Sequence, residues 1–258
     1  MAMTRIGKRF RKLAKEGGKA FIPYIMAGDP SIARTRELVL MLERVGADVI
    51  ELGVPFSDPL ADGPVIQQAA ERAVKNGVSL RDVIALVSDV RRECKAAIVL
   101  MTYYNPIFKY GEASFVRDAT EAGVDGIIVP DLPPDEAGPL RKEAKKRGLD
   151  TIFLFAPTST EERRNVVAKS STGFIYYVSI TGITGSELKL QDDAVEHIRS
   201  VKEKSGKPVA VGFGVSSPEE AARVAGIADG VIVGSAIVKR IADAGLEEFL
   251  GSLREAIR

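Results

Sequence analysis

Glu51 stands inside an apolar run, Val49-Ile50-Glu51-Leu52, with no polar neighbour in sequence. Burying an ionised carboxylate without a partner is costly. Such a group keeps its proton instead, and its pKa rises toward the range of a general acid or base. A glutamate held in a structural ion pair is the competing reading. The residues that follow favour chemistry. Beyond Gly53 the chain passes Pro55, Pro59, Gly63 and Pro64 and carries two further carboxylates, Asp58 and Asp62. Long irregular loops in compact proteins are functional or disordered, and this proline-stiffened one lacks the composition of disorder. Asp62 also precedes Pro64-Val-Ile-Gln-Gln, so a helix-capping role competes with a catalytic one.

A second group of residues suits anion binding. Gly182-Ile-Thr184-Gly185, Gly212-Phe213-Gly214-Val-Ser216 and Gly234-Ser235-Ala236 each follow an apolar run, and the last opens onto a helical segment. Backbone N–H groups at such turns and at helix starts can hold a phosphate without a basic side chain. Glycines that merely make tight turns are the plainer explanation, but three clusters in corresponding places favour a phosphorylated small substrate.

These residues need a scaffold, and the chain supplies a regular one. Short runs rich in Val, Ile, Leu and Phe occupy 20–26, 48–53, 97–103, 126–129, 151–155, 174–179, 208–212 and 230–233. They are nearly continuous rather than alternating, as parallel strands covered on both faces should be. Between them lie helical-period segments at 32–44, 80–93, 113–122, 135–147, 161–169, 192–203, 218–224 and 246–257. Leu80, Val83, Ile84, Val87 and Val90 fall on one stripe. Ser79 and Ser217-Pro218 suit helix starts, and Gly46, Gly123 and Gly148 suit helix ends. Gly46-Ala-Asp48, Gly123-Val-Asp125 and Ile227-Ala-Asp229 recur where a helix gives way to a strand. Eight such units with no linker predict an α/β fold. The expected architecture is a single (β/α)8 TIM barrel over residues 1–258. An extra N-terminal helix at 4–15 is expected to cap its bottom. An open doubly wound sheet is the alternative, but no GxGxxG turn follows a strand. In such barrels the active site lies at the C-terminal ends of the strands, which is where Glu51, its loop and the glycine clusters fall.

Composition removes several kinds of protein. The 258 residues carry Lys+Arg 36 against Asp+Glu 35, a net charge of +1 that gives no footprint for nucleic acid or an anionic membrane. The longest apolar run, 96–101, is far short of a bilayer span. No apolar stretch follows the basic residues Arg5, Lys8, Arg9, Arg11 and Lys12, so no secretory signal is expected. A single cysteine, Cys94, fits a reducing, cytoplasmic setting. It sits beside Arg91, Arg92 and Lys95, which could lower its pKa, but a structural role is the favoured reading. No strand run contains a lysine for a Schiff base, and His197 stands alone, too few for a zinc site. What remains is metal-free, cofactor-free acid/base chemistry by carboxylates.

The stretch Glu51-Leu-Gly-Val-Pro-Phe-Ser-Asp-Pro-Leu-Ala-Asp62-Gly-Pro64 closely resembles the signature of the tryptophan synthase alpha chain family. The resemblance continues through Phe21-Ile-Pro23-Tyr24, Gly28-Asp29-Pro30, Pro130-Asp131-Leu-Pro133, Gly182-Ile-Thr184-Gly185, Gly212-Phe-Gly214 and Gly234-Ser235. It implies retro-aldol cleavage of indole-3-glycerol phosphate to indole and glyceraldehyde 3-phosphate. It also implies a pyridoxal-phosphate-dependent beta chain as partner in an alpha2beta2 complex, with no cofactor in this chain. On this likeness Glu51 is the general acid/base and Asp62 faces the indole nitrogen. Tyr24, Leu100, Tyr176 and Phe213 surround the substrate, and Thr184 orders the Asp62 loop on closure. Gly185, Gly214, Gly234 and Ser235 hold the phosphate. Two departures stand out. Ile180-Thr181 occupies a stretch where some members carry arginine. The Met101-Thr-Tyr103-Tyr104-Asn105 segment is one residue longer than in some members, so the position matched to Leu100 can slip by one. A stand-alone lyase, a non-catalytic barrel that activates a partner, and a phosphosugar isomerase are the alternatives.

Overall fold

The structure is a computed structural model, and it describes residues 3–178, 192–212 and 214–258. Nine strands are found there: β1 (Ala20–Met26), β2 (Val49–Gly53), β3 (Ala97–Met101), β4 (Gly126–Ile128), β5 (Asp150–Ile152), β6 (Leu154–Phe155), β7 (Ile175–Val178), β8 (Val209–Gly212) and β9 (Gly230–Val233). All pair in parallel, in the order β5-β4-β3-β2-β1-β9-β8-β7-β6. The two ends of that order, β5 and β6, are one passage of chain interrupted at Phe153. Its N–H turns to the Ser171 hydroxyl (3.2 Å). The ring is drawn together by Thr172 N–H to Thr151 O (2.8 Å) and Tyr176 N–H to Phe153 O (3.1 Å). The eight expected runs therefore make a nearly closed barrel, with the fifth split in two.

The helices are α1 (Arg5–Glu16), α2 (Ile32–Val45), α3 (Pro64–Lys75), α4 (Leu80–Val90), α5 (Tyr104–Tyr110), α6 (Glu112–Ala122), α7 (Gly138–Arg147), α8 (Glu161–Ser170), α9 (Asp192–Ser205), α10 (Pro218–Ala225), α11 (Ser235–Val238) and α12 (Leu246–Ala256). The expected end signals hold. Ser79 and Asp82 form a reciprocal capping box, Ser217 caps α10, and Gly46, Gly123 and Gly148 adopt φ of 99°, 97° and 73°. Residues 91–93, read as helix, form a turn beyond α4. The short helices α5 and α11 are additions at the barrel mouth.

Both faces of the sheet are apolar, which is why the strands read as unbroken runs. Ala20, Ile22, Val49, Val99, Ile128, Ile152 and Ile232 fill the barrel, closed from below by Ile6, Phe10 and Leu13 of α1. Phe21, Ile25, Leu52 and Ile98 point the other way, into the layer shared with the outer helices.

The recurring Asp acquires a structural meaning. Asp48 N–H donates to Phe21 O (2.9 Å) while its Oδ2 accepts from Phe21 N–H (2.7 Å). Asp125 makes the same double bond with Ile98 (2.8 and 2.9 Å), and Asp229 with Val209 (2.8 and 2.9 Å). Thr172 repeats it with Thr151 through its hydroxyl (2.8 and 2.8 Å). Each clamp locks the start of one strand to its neighbour at the barrel bottom. The acidic members also gather cations: Asp48 holds Arg9 and lies 3.6 Å from Arg254, Asp125 holds Arg5 and Arg91, and Asp229 holds Lys202. Carboxylates with this many donors are satisfied rather than reactive. The bottom is thus fastened, and the opposite end is left for chemistry.

Candidate active site

The inward position on β2 just below its end belongs to Glu51, paired in register with Tyr24 on β1 and Val99 on β3. The residue is 1 % exposed, and among the described residues neither carboxyl oxygen has a hydrogen-bond partner. That removes the ion-pair reading. Desolvation, then the nearby Asp62 charge, pushes the Glu51 pKa from 4.5 up to about 8, so the group is a neutral acid at pH 7.

Asp62 lies in the loop between β2 and α3. The cap of α3 is Gly63, with no side-chain bond, so Asp62 is not a helix cap. Its carboxylate Oδ2 accepts instead from the Tyr103 hydroxyl at 3.2 Å. Burial raises the Asp62 pKa from 3.8 to about 6 and the Tyr103 bond opposes the rise, which leaves it largely ionised at pH 7. Two carboxyl groups thus stand close enough to interact, in opposite protonation states, an arrangement suited to an acid beside a charge stabiliser.

Two tyrosines flank them. Tyr24 and Tyr176 are buried (6 % and 4 % exposed), and both phenols are held well above their usual pKa by burial and the carboxylates. Each ring lies against a glycine. A Cβ on Gly53 would collide with the Tyr24 hydroxyl, and one on Gly212 with the Tyr176 hydroxyl. Ile66, Ala69 and Ala70 of α3 pack on Tyr24 and Met26, forming an apolar wall.

On the neighbouring rim, Gly234 leads directly into α11, and a Cβ there would sit 3.7 Å from Tyr24. Gly214 has φ 80°, a conformation that favours glycine. The first N–H groups of α11 have no acceptor within their own helix.

The sequence and fold match one family throughout. The tryptophan synthase alpha chain family model covers residues 10–255. A tryptophan synthase alpha chain from Geotalea uraniireducens is 49 % identical over 99 % of this chain and 94 % of its own length. One from Microcystis aeruginosa is 48 % identical over 99 % of this chain and 100 % of its own. The chain belongs to the tryptophan synthase alpha chain family. The crystal structure of the alpha subunit from Legionella pneumophila superposes with a TM-score of 0.91 at 42 % identity, covering 99 % of both chains.

Within this alpha chain, Glu51, Asp62, Tyr24 and Tyr176 converge, and Gly234 and Ser235 stand on the adjacent rim. Leu100 does not join them. It is fully buried in the layer between sheet and helices, because side chains alternate along β3. Met101, one residue on, borders both the barrel interior and the α3 wall. Thr184, Gly185 and Phe213 lie outside the described residues, as do Ile180 and Thr181. Tyr103 is a site residue that sequence reasoning passed over. The signal was its place just beyond a strand that neighbours the Glu51 strand. Cys94 is buried, and burial pushes its thiol up to about 11 despite the basic neighbours, as suits a structural residue. His197 belongs to α9, on the helical layer. Among the described residues no helix is long and apolar enough to cross a membrane.

Proposed function

We propose that this alpha chain cleaves indole-3-glycerol phosphate by a retro-aldol reaction. The observation that carries the reading is Glu51: fully buried, unpartnered, and held protonated at neutral pH next to an ionised Asp62. Breaking the bond between indole C3 and the glycerol carbon requires C3 to be protonated first. Glu51 delivers that proton, and the ring nitrogen becomes cationic, where the Asp62 carboxylate stabilises it. The C–C bond then breaks as the adjacent glycerol hydroxyl returns its proton to Glu51. The electron pair flows back into the ring, giving indole and glyceraldehyde 3-phosphate. The sequence of proton transfers leaves Glu51 as it began, and no step calls for a metal or a Schiff base.

Tyr24, Tyr176 and Ile66 supply apolar walls for the indole, with Met101 taking the place first matched to Leu100. The phosphate is assigned to the backbone around Gly214, Gly234 and Ser235, together with Gly185, and the loop contact to Thr184. The partner is a beta chain carrying pyridoxal phosphate, in an alpha2beta2 complex in the cytoplasm, with residues 1–258 acting as one barrel. Leu60 on the Asp62 loop and Phe108 on α5 are 91 % and 66 % exposed on the same rim, large apolar side chains suited to such an interface.

The test is turnover of indole-3-glycerol phosphate by the wild type and by Glu51→Gln, alone and mixed with a beta chain. Positioned acid/base groups contribute about 10²–10⁴-fold, so Glu51→Gln should lose at least ~10². An unaffected rate removes Glu51 from the mechanism. Full activity with no complex on mixing would leave a stand-alone lyase.

A further inference from the structure

Tyr103 touches the Asp62 loop three times. Its hydroxyl donates to Asp62 Oδ2 (3.2 Å) and accepts from Ala61 N–H (2.8 Å). Its ring stacks on Phe56 with centroids 5.3 Å apart. Among the described residues, no other side chain from outside the stretch from β2 through α3 hydrogen-bonds to residues 55–63. The loop's remaining side-chain bonds are its own: Ser57 with Asp58, and Gln67 with the carbonyls of Pro59 and Asp62. Tyr103 itself is fixed from both sides. The preceding Thr102 N–H is bonded to Ile128 O (3.0 Å), and the following Tyr104 N–H to both oxygens of Asp131 (2.9 and 3.2 Å). The tyrosine is therefore a rigid post on which a loop rests.

A hydroxyl has one proton to give. With Asp62 ionised, Tyr103 donates to a charged acceptor, and such bonds are roughly twice as strong as neutral ones. With Asp62 protonated that advantage is gone, and Tyr103 holds the loop through a neutral bond to Asp62, the Ala61 bond and the ring stack. We propose that Tyr103 is a positioning residue, a latch that holds the 54–63 loop in place and tightens when Asp62 ionises. The reaction would then begin from a loop already closed on Glu51, with the nitrogen-facing carboxylate in its charged form. This inference rests on the assignment of Asp62 to the indole nitrogen only for its catalytic consequence. The latch itself is a property of the loop.

Among the described residues, the titratable groups facing Asp62 are Glu51 from β2, Tyr24 from β1 and Tyr176 from β7, with Tyr103 itself beyond β3. Asp131 stands behind Tyr103. The first turns of α3 offer the uncharged Gln67. No cation in this set competes with the hydroxyl for Asp62.

Tyr103→Phe removes the hydroxyl and keeps the ring stack, so the loop loses the latch and not its packing. The chain has no tryptophan, so Leu60→Trp places a single fluorophore on the exposed loop tip. In Leu60→Trp, fluorescence anisotropy should rise through the Asp62 titration near pH 6. In Leu60→Trp/Tyr103→Phe that step should vanish. The acid limb of kcat/KM should move up by about half to one pH unit in Tyr103→Phe, the effect of losing one hydrogen bond to the charged form. Thermal melting of both proteins checks that each is folded. An unchanged anisotropy step overturns the latch, whatever the acid limb does. Asp62→Asn is the separate control: if it retains full activity, the catalytic role of Asp62 fails while the anisotropy titration still decides the latch.

Discussion

Keeping Glu51 protonated should be visible in the stability of the protein, independently of any turnover assay. In the unfolded chain the carboxyl ionises near 4.5, and in the folded barrel near 8. The folded state therefore holds a proton that the unfolded state gives up. Stability attributable to this group is fully present below pH 4.5 and is lost as pH rises toward 8. At 1.36 kcal/mol per unit, a rise from 4.5 to about 8 corresponds to about 5 kcal/mol across the window, of which about 3 has gone by pH 7. Glu51→Gln retains the size of the side chain and cannot ionise. The difference in unfolding free energy, variant minus wild type, should be small at pH 4.5 and grow in favour of glutamine to about 3 kcal/mol at pH 7. It should level off above pH 8. Urea unfolding of both proteins at a series of pH values measures this directly, and unchanged m-values would show that the unfolded states remain comparable. A difference that stays flat from pH 4.5 to 8, or that favours the wild type at pH 7, would refute the reasoning. Glu51 would then be ionised and partnered in the folded protein. Combined with a collapse in turnover, the expected result marks Glu51 as a group that costs stability for the sake of chemistry.

Other parts of the structure make sharp demands of their own. Asp48 is buried with Phe21 N–H, Arg9 and Arg254 around it, so Asp48→Ala should destabilise by about 3 kcal/mol or more in urea unfolding. Gly53→Ala drives a methyl group into the Tyr24 ring, with an expected loss of about 1–3 kcal/mol and weaker substrate binding. Adding Tyr24→Leu should recover the melting temperature but not the binding. Gly234→Val, at the entrance to α11, should raise KM and weaken glycerol phosphate binding in calorimetry while leaving the Glu51 pH dependence of stability in place.

The strand and helix pattern was legible because parallel barrel strands are apolar on both faces, which writes them as continuous runs in the sequence. The run at 151–155 shows the limit of that signal: nothing in its composition marks Phe153, whose N–H leaves the ladder for Ser171. The recurring Asp at helix-to-strand passages was visible, but its purpose was not. Only the pairing of Asp48 with Phe21, Asp125 with Ile98 and Asp229 with Val209 reveals clamps, and only the fold exposes Thr172 as the fourth, since it shares no letter with the motif. Leu100 failed for a related reason. Adjacent residues on a strand face opposite sides, so an offset of one residue moves a side chain from the barrel interior to the outer layer.

The sequence alone determined which chemistry was open to this protein. One histidine, one cysteine, no strand lysine and a carboxylate in an apolar run point to acid/base chemistry by carboxylates, with Glu51 and Asp62 as the candidates. It also determined the barrel, because hydrophobic periodicity is a local property that survives in one dimension. The tertiary structure decided the charge states. Whether Glu51 has a partner, whether Asp62 caps a helix or meets a tyrosine, and which side of β3 faces the barrel interior all depend on residues distant in sequence. Desolvation and Coulomb interactions act through space, so the acid and the anion become distinguishable only when the strands that carry them are brought together.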